Sequence, residues 1–258
     1  MLEITPIPAF QDNYVWLLKD PASHLATVVD PGDAAPVQQV LTRRGLELGS
    51  ILVTHHHRDH IGGISELVRG WPGCRVYGPG ARIPSITDPV GENDRVTPAG
   101  LDTELTVLSV PGHTADHIAY LGDGALFCGD TLFAAGCGRV FDGTFEQLAD
   151  SLERIAALPP ETRIFCAHEY TLDNLGFADW VEPESTALRE RRQADQLRRS
   201  AGEPTVPSEL SQELATNPFL RTGQPGVVAA AQRYAGRALS GHAEVFRALR
   251  EWKDREYD

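Results

Sequence analysis

Residues 54–60, Thr54-His55-His56-His57-Arg58-Asp59-His60, place four metal-type donors within six positions: His55, His57, Asp59 and His60. Neutral imidazole and carboxylate suit zinc, iron or manganese, and crowding them onto one loop does nothing for an apolar core. If the chain leaves a buried strand at Val53 and turns, His55 and His57 project the same way, while Asp59 and His60 lie one tight turn further on. A single tetrahedral ion cannot take all four donors and keep a position open for chemistry, whereas two adjacent ions can. The competing reading is a polyhistidine-like surface tract. Gly62-Gly63 and the helix-like Ile64-Ser65-Glu66-Leu67-Val68 that follow argue against it.

Three further donors share one feature with this cluster. His113 follows the strand-like run 105–110 through Pro111-Gly112, Asp130 follows Ala125-Leu126-Phe127-Cys128 through Gly129, and His168 follows Arg163-Ile164-Phe165-Cys166-Ala167. Taken singly, His113 or His168 reads as an ordinary capped or core histidine. Their common place just past the end of an apolar strand points to one sheet edge, where rigid scaffolds present reactive groups.

The elements that must carry these residues are legible in outline. Residues 2–9, 14–19 and 24–30 read as short strands, and Asp33 reads as the N-cap of a helix through Val37, Val40 and Leu41 that ends at Gly45. The run Ser50-Ile51-Leu52-Val53 feeds the histidine cluster, a helix spans 64–69, Cys74 to Tyr77 is a strand, and 78–100 is a loop with an edge strand. Gly122-Asp123-Gly124 between two apolar runs signals a hairpin. Apolar positions at Phe145, Leu148, Leu152, Ile155 and Leu158 make one helical face. Past residue 175 the signals become helical, over 183–199, 208–214 and 227–253.

Length and composition bound the class. The 258 residues are 41% hydrophobic and 23% charged, ordinary for a globular chain that buries a full core. A net charge of -13 argues against a nucleic-acid or anionic-membrane partner, because phosphate binding needs clustered cations. The charge is uneven: residues 1–169 hold 11 basic and 22 acidic side chains, and residues 170–258 hold 12 and 14, so cationic contacts belong in the tail. Four cysteines without a C-x-x-C pair, no signal-like N-terminus and no run of about 18 apolar residues lead us to expect a cytoplasmic protein outside the membrane.

Thr-His-x-His-x-Asp-His after a strand, then Pro111-Gly112-His113-Thr114, Gly129-Asp130-Thr131 and a late His168, resembles the metallo-β-lactamase superfamily. The resemblance implies an α/β fold, a four-layer αβ/βα sandwich with a dinuclear site at one sheet edge. Further stretches resemble the hydroxyacylglutathione hydrolases (glyoxalase II): Phe10-Gln11-Asp12-Asn13-Tyr14, Asp130-Thr131-Leu132-Phe133 with Gly136-Cys137-Gly138-Arg139, Ala167-His168-Glu169-Tyr170-Thr171, Asn217-Pro218-Phe219-Leu220-Arg221, and Arg250-Glu251-Trp252-Lys253-Asp254. By this resemblance residues 1–168 form the metal domain and 169–258 an all-helical substrate-binding domain.

The resemblance implies that His55, His57 and His113 hold one ion, that Asp59, His60 and His168 hold the other, and that Asp130 bridges, with Asp59 and Asp130 the catalytic carboxylates. His56 supports a ligand or faces solvent. His117 receives no role, since many relatives precede it with Gly where this chain has Asp116. The ions are expected to be zinc, with iron and manganese also compatible. Arg139, Tyr170, Asn174, Arg250 and Lys253 are implicated in holding glutathione, and Phe141 stands where eukaryotic relatives carry a Tyr, dropping one hydroxyl contact. An exposed helix face for Arg250 and Lys253, and a packing role for Tyr170, are the bland alternatives.

The implied reaction is hydrolysis of S-D-lactoylglutathione and related 2-hydroxyacylglutathiones by a metal-bridging hydroxide, the second step of methylglyoxal detoxification, by a monomer acting on a small-molecule thioester. The thiolate leaves with little help from a general acid, so a site of metal ligands without a spare acid suits a thioester better than an amide. The rival readings are a persulfide dioxygenase, whose family generally lacks the Arg-x-x-Lys tail, and a metal-binding module without turnover. Cys128, Cys137 and Cys166 are read as structural.

Overall fold

Apolar runs punctuated by Pro, Gly and Asp become short strands in the computed structural model, which describes residues 2–80 and 82–257. The loop expected over 78–100 includes residue 81, which lies outside the described residues. The chain divides into two compact units, Met1–Ser109 with Asp116–Gly129, and Val110–Ala115 with Asp130–Asp258.

The first unit holds a six-stranded sheet in the order β1 (Glu3–Ala9), β2 (Asn13–Lys19), β3 (Leu25–Val29), β4 (Glu47–Leu52), β5 (Arg75–Gly78) and β6 (Asp88–Pro89). β1, β2 and β3 pair antiparallel, and β3 to β6 run parallel. Parallel pairing needs a crossover, and α1 (Ala34–Arg44) supplies the one between β3 and β4. The caps of α1 are those expected: the Asp33 side chain accepts from Ala35 N, and Gly45 closes the helix at φ 63°. After β4 come two short helices, α2 (Arg58–Ile61) and α3 (Ile64–Gly70). Val37, Leu41, Ile64 and Leu67 pack on Val15, Leu17, Val28 and Ile51 of the sheet, all almost fully buried.

The same unit carries β7 (Arg95–Val96), β8 (Leu105–Ser109), β9 (Ile118–Gly122) and β10 (Ala125–Gly129), paired antiparallel in sequence. Gly122 faces Ala125 across a two-residue loop, with Asp123 at φ 49° and Gly124 at φ 68°. Two left-handed residues match a type I′ turn, whose twist suits a hairpin.

In the second unit β11 (Leu132–Phe133) pairs with β12 (Gly136–Cys137), and β13 (Arg163–Cys166) pairs with β14 (Ser208–Glu209). Helices follow one another: α4 (Phe145–Ala156), α5 (Thr171–Val181), α6 (Thr186–Ser200), α7 (Leu210–Thr216), α8 (Pro225–Ala235) and α9 (Gly241–Trp252). Thr144 and Gln147 form a reciprocal capping box at the start of α4. The tail is helical as expected, except that Ser208 and Glu209, expected in a helix, extend to pair with Ile164 and Arg163, and that the helical run expected over 227–253 breaks at the left-handed Gly236 into α8 and α9. Its core joins Leu175, Ala178 and Leu188 to Ala135, the tip of the β11–β12 hairpin. No helix among the described residues is long and apolar enough to cross a membrane.

Candidate metal centre

In the first unit the donors sit where parallel strand β4 ends. Val53 N still bonds Tyr77 O at 2.9 Å, and the chain then leaves the sheet. His57 is the extended N-cap of α2, so Asp59 and His60 fall in that helix's first turn. The rings of His55 and His57 lie 4.7 Å apart and those of His55 and His60 4.1 Å apart. His55 and His60 are fully buried, while Asp59 is half-buried beside an open cavity bordered by Phe10, Asn13 and Arg58. Asn13 Nδ2 donates to Asp59 Oδ2 at 3.1 Å.

A buried carboxylate not singled out in the sequence organises this loop. Asp30, at the end of β3 with φ 53°, accepts from Thr54 N at 2.8 Å, Thr54 Oγ1 at 2.7 Å and His60 Nδ1 at 3.0 Å. Because Thr54 Oγ1 gives its one proton to Asp30, it can only accept from His55 Nδ1, 3.0 Å away. Both imidazoles therefore carry their proton on Nδ1 and offer the Nε2 lone pair. A Ser or Asn at position 30 would supply neither the charge nor the number of acceptor sites.

The neighbouring histidines are also explained. His56 Nδ1 lies 3.3 Å from Asp116 Oδ1, so the residue standing in place of Gly is the partner of the middle histidine. His117 is fully buried and stacks on His55 with ring centroids 4.6 Å apart and planes at 19°. A Cβ on Gly129, which has φ 49°, would sit 2.3 Å from Thr54 Oγ1 and 2.9 Å from the His117 ring. Only glycine allows β10 to end this close to the donors.

In the second unit His113, Asp130 and His168 come from three separate loops and meet. His113 Nε2 is 3.5 Å from Asp130 Oδ2, and His168 Nε2 is 3.4 Å from Asp130 Oδ1. His113 Nδ1 lies 2.8 Å from the Arg139 carbonyl oxygen, an atom that only accepts, so Nδ1 holds the proton here as well. A Cβ on Gly138 would come within 2.8 Å of His113 Nδ1 and 2.1 Å of Asp130 O. The His168 ring lies parallel to that of Tyr170, with centroids 4.7 Å apart, and Phe133 presents its edge to both.

These spacings fit divalent metal. Two donors each about 2.0–2.1 Å from a tetrahedral ion stand about 3.3 Å from one another. His113 and His168 are at 3.5 and 3.4 Å from Asp130, and in the first unit His60 Nε2 is 3.4 Å from Asp59 Oδ2. The set joins neutral nitrogens to ionisable oxygens, a mixture that zinc, iron and manganese all accept.

The residues implicated in glutathione binding all lie in the second unit. Arg250 is 1% exposed, and its guanidinium donates to Cys137 O at 3.1 Å and to Asp254 Oδ1 at 3.1 and 2.9 Å. Arg139 is more exposed and has Nε 3.7 Å from the same Asp254 oxygen. Lys253 Nζ is 3.7 Å from Asp173 and 5.4 Å from the Tyr257 ring centroid. Asp254 and Asp173, unassigned in the sequence, thus supply the counter-charge. Tyr170 is part-exposed on His168, and Asn174 is buried with Nδ2 donating to Ala134 O at 3.0 Å. All four cysteines are buried, and burial pushes the Cys137 thiol up to about 11 and the Cys166 thiol up to about 12.

Residues 10–168 match a family profile described as metallo-beta-lactamase superfamily, and residues 169–256 match one described as hydroxyacylglutathione hydrolase C-terminus. The chain is 53% identical over 255 residues to a hydroxyacylglutathione hydrolase of Alkalilimnicola ehrlichii, covering 98% of this chain and 99% of that protein. Among solved structures it is similar to ETHE1 from Myxococcus xanthus, with a TM-score of 0.67, 24% identity, and coverage of 100% of this chain and 93% of that one. It is also similar to TTHA1623 in a di-iron-bound form, with a TM-score of 0.52, 28% identity, and coverage of 64% and 91%.

Proposed function

The chain belongs to the hydroxyacylglutathione hydrolases of the metallo-β-lactamase superfamily, and from that membership we propose that it hydrolyses S-D-lactoylglutathione and related S-2-hydroxyacylglutathiones to the hydroxy acid and glutathione. Its fold is the metallo-β-lactamase fold followed by a helical region. In this reading 1–168 is the metal domain and 169–258 the substrate-binding domain. His55, His57 and His113 would hold one ion, Asp59, His60 and His168 would hold the second, and Asp130 would be a ligand available to both. The single observation that supports this donor set is that Asp130 lies 3.5 Å from His113 Nε2 and 3.4 Å from His168 Nε2, so that it would be a ligand beside both.

Bound divalent ions, zinc in our reading, supply a water of lowered pKa and positive charge where the oxyanion develops. The chain's own residues prepare for that chemistry. Asp30 and Thr54 fix which nitrogen His55 and His60 present, and the Arg139 carbonyl does the same for His113. Asp59 and Asp130 are the carboxylates nearest the reacting thioester. Arg139, Arg250 and Lys253 are the cations that meet glutathione's carboxylates, which compete there with Asp254 and Asp173. Tyr170 lines the same face through its stack on His168, and Asn174 shapes the pocket by holding the Ala134 carbonyl. The leaving thiolate needs no proton donor, which agrees with a donor set containing no spare acid. We place the protein in a reducing cytoplasm as a monomer.

The test is hydrolysis of S-D-lactoylglutathione by purified protein loaded with zinc, with metal per chain measured on the same sample. Thioester cleavage with about two ions per chain is expected. Two bound ions without cleavage overturns the reading in favour of oxygen-dependent or purely binding chemistry.

A further inference from the structure

The motif Asn217-Pro218-Phe219-Leu220-Arg221 marks the family resemblance, yet none of its residues enters the chemistry above. Its structural setting assigns it work. The β11–β12 hairpin turns through Ala134 and Ala135, and Ala135 holds the left-handed conformation at φ 57° while fully buried in the tail's core. Four backbone groups of that turn are tied to tail side chains. Asn217 Nδ2 donates to Phe133 O at 3.2 Å and to Gly136 O at 2.9 Å. Ala135 N donates to Glu213 Oε2 at 2.8 Å, and Asn174 Nδ2 donates to Ala134 O.

Glu213 is in turn held from behind. It is fully buried, its Oε1 accepts from Arg191 Nη2 at 2.6 Å, and its Oε2 accepts from Asn217 Nδ2 at 3.2 Å. Arg191, also buried, reaches Asp195 at 3.3 Å and Thr216 Oγ1 at 2.5 Å. Burial works against the Arg191 charge, and Glu213 and Asp195 more than offset it, so its pKa rises above the ordinary arginine value. A buried ion pair is poor evidence for net stability, since apolar side chains of equal size serve as well. What apolar side chains cannot do is accept from a strained hairpin's amide.

The hairpin leads directly into the donors. Asp130 precedes β11, Phe133 in β11 stands edge-on to His168, and Gly138 and Arg139, which abut His113, follow β12. We propose that Glu213 and Asn217 are positioning residues: they clamp the β11–β12 hairpin so that His113, Asp130 and His168 keep their mutual spacing, and the tail thereby sets metal affinity. This rests on the dinuclear reading above.

Glu213→Gln is the direct test. Glutamine cannot accept on both sides at once, because Arg191 approaches one oxygen and Ala135 N with Asn217 approach the other, so one orientation or the other leaves donor facing donor. Asn217→Ala removes no charge and keeps the question answerable if Glu213→Gln does not fold. Glu182→Gln is the control, weakening the Glu182–Arg221 pair at 2.8 and 2.9 Å, which lies in the tail and makes no bond to the hairpin. Metal-free wild type and variants are titrated with zinc against a chromophoric chelator, with melting temperature followed by circular dichroism. Weakening of at least one ion by about 10- to 100-fold is expected in the hairpin variants, with Glu182→Gln within about threefold of wild type at a comparable loss of melting temperature. Wild-type affinity in a folded Glu213→Gln or Asn217→Ala protein overturns the proposal, as does equal weakening in Glu182→Gln. Wild type that binds fewer than two ions sinks the dinuclear reading instead.

Discussion

The two sets of donors are built in opposite ways. His55, His57, Asp59 and His60 come from one loop at one sheet edge, where Asp30 and Thr54 orient His55 and His60 and Asn13 donates to Asp59. His113, Asp130 and His168 come from three loops far apart in sequence, and their spacing depends on a two-residue-strand hairpin anchored in the helical tail. The local set takes its order from one stretch of chain, and only the carboxylate of Asp30, from the neighbouring parallel strand, has to be brought to it. A dispersed set is only as well placed as the contacts that bring its loops together.

The largest effect that would break this comparison is at Asp130, the residue between two histidines of the dispersed set. Asp130→Ala should lose bound metal and cut thioester hydrolysis by about three decades or more, since the ions supply several kcal/mol of transition-state stabilisation. Normal turnover in that variant, measured under saturating substrate, would remove its bridging role. Next comes the local set. Asp30→Asn keeps the shape but not the charge that fixes His60 and, through Thr54, His55, and zinc competition should show about 10- to 100-fold weaker binding. An effect much smaller than that of Glu213→Gln would reverse the view that the local set relies on one carboxylate.

A smaller effect is expected away from the donors. Lys253→Ala should leave metal content unchanged and raise KM about tenfold, the size of one charge-assisted contact, with kcat nearly constant. A fall in kcat with metal lost would mean that Lys253 supports the donors rather than the substrate. The smallest effect concerns the thiols. With Cys137 at about 11 and Cys74 pushed by burial to about 12, both lie above pH 8. The reactive thiolate appears only as pH rises toward those values, so at pH 8 about one Cys137 in a thousand is ionised. Mass spectrometry after iodoacetamide treatment should find neither alkylated in the native protein and both alkylated after denaturation.

Legibility in the sequence followed the same division. α1 was readable from Asp33 and Gly45, and the β9–β10 hairpin from Asp123-Gly124, because caps and tight turns are chemistry between near neighbours. α5 was not, since Leu172, Leu175, Phe177, Ala178, Trp180 and Val181 leave no steady polar face for a helical period to show. The β11–β12 hairpin escaped for a different reason. Two strands of two residues carry no alternation, and the bonds that hold its turn come from Asn174, Glu213 and Asn217, 40 to 84 residues away. Asp30 was only the last residue of the strand read over 24–30, and its role depends on β3 and β4 lying side by side in parallel.

The sequence alone determined the donor types, their order along the chain and the strand ends that carry them, because ligand chemistry and short-range periodicity are properties of residues and their neighbours. Tertiary structure decided which nitrogen each of His55, His60 and His113 presents, which carboxylate balances Lys253, and what holds the hairpin beside Asp130. His60–Asp30, His113–Arg139, Lys253–Asp173 and Ala135–Glu213 join groups far apart in sequence that only packing brings within about 4 Å, whereas Arg250–Asp254 is an i,i+4 pair that helix spacing itself offers.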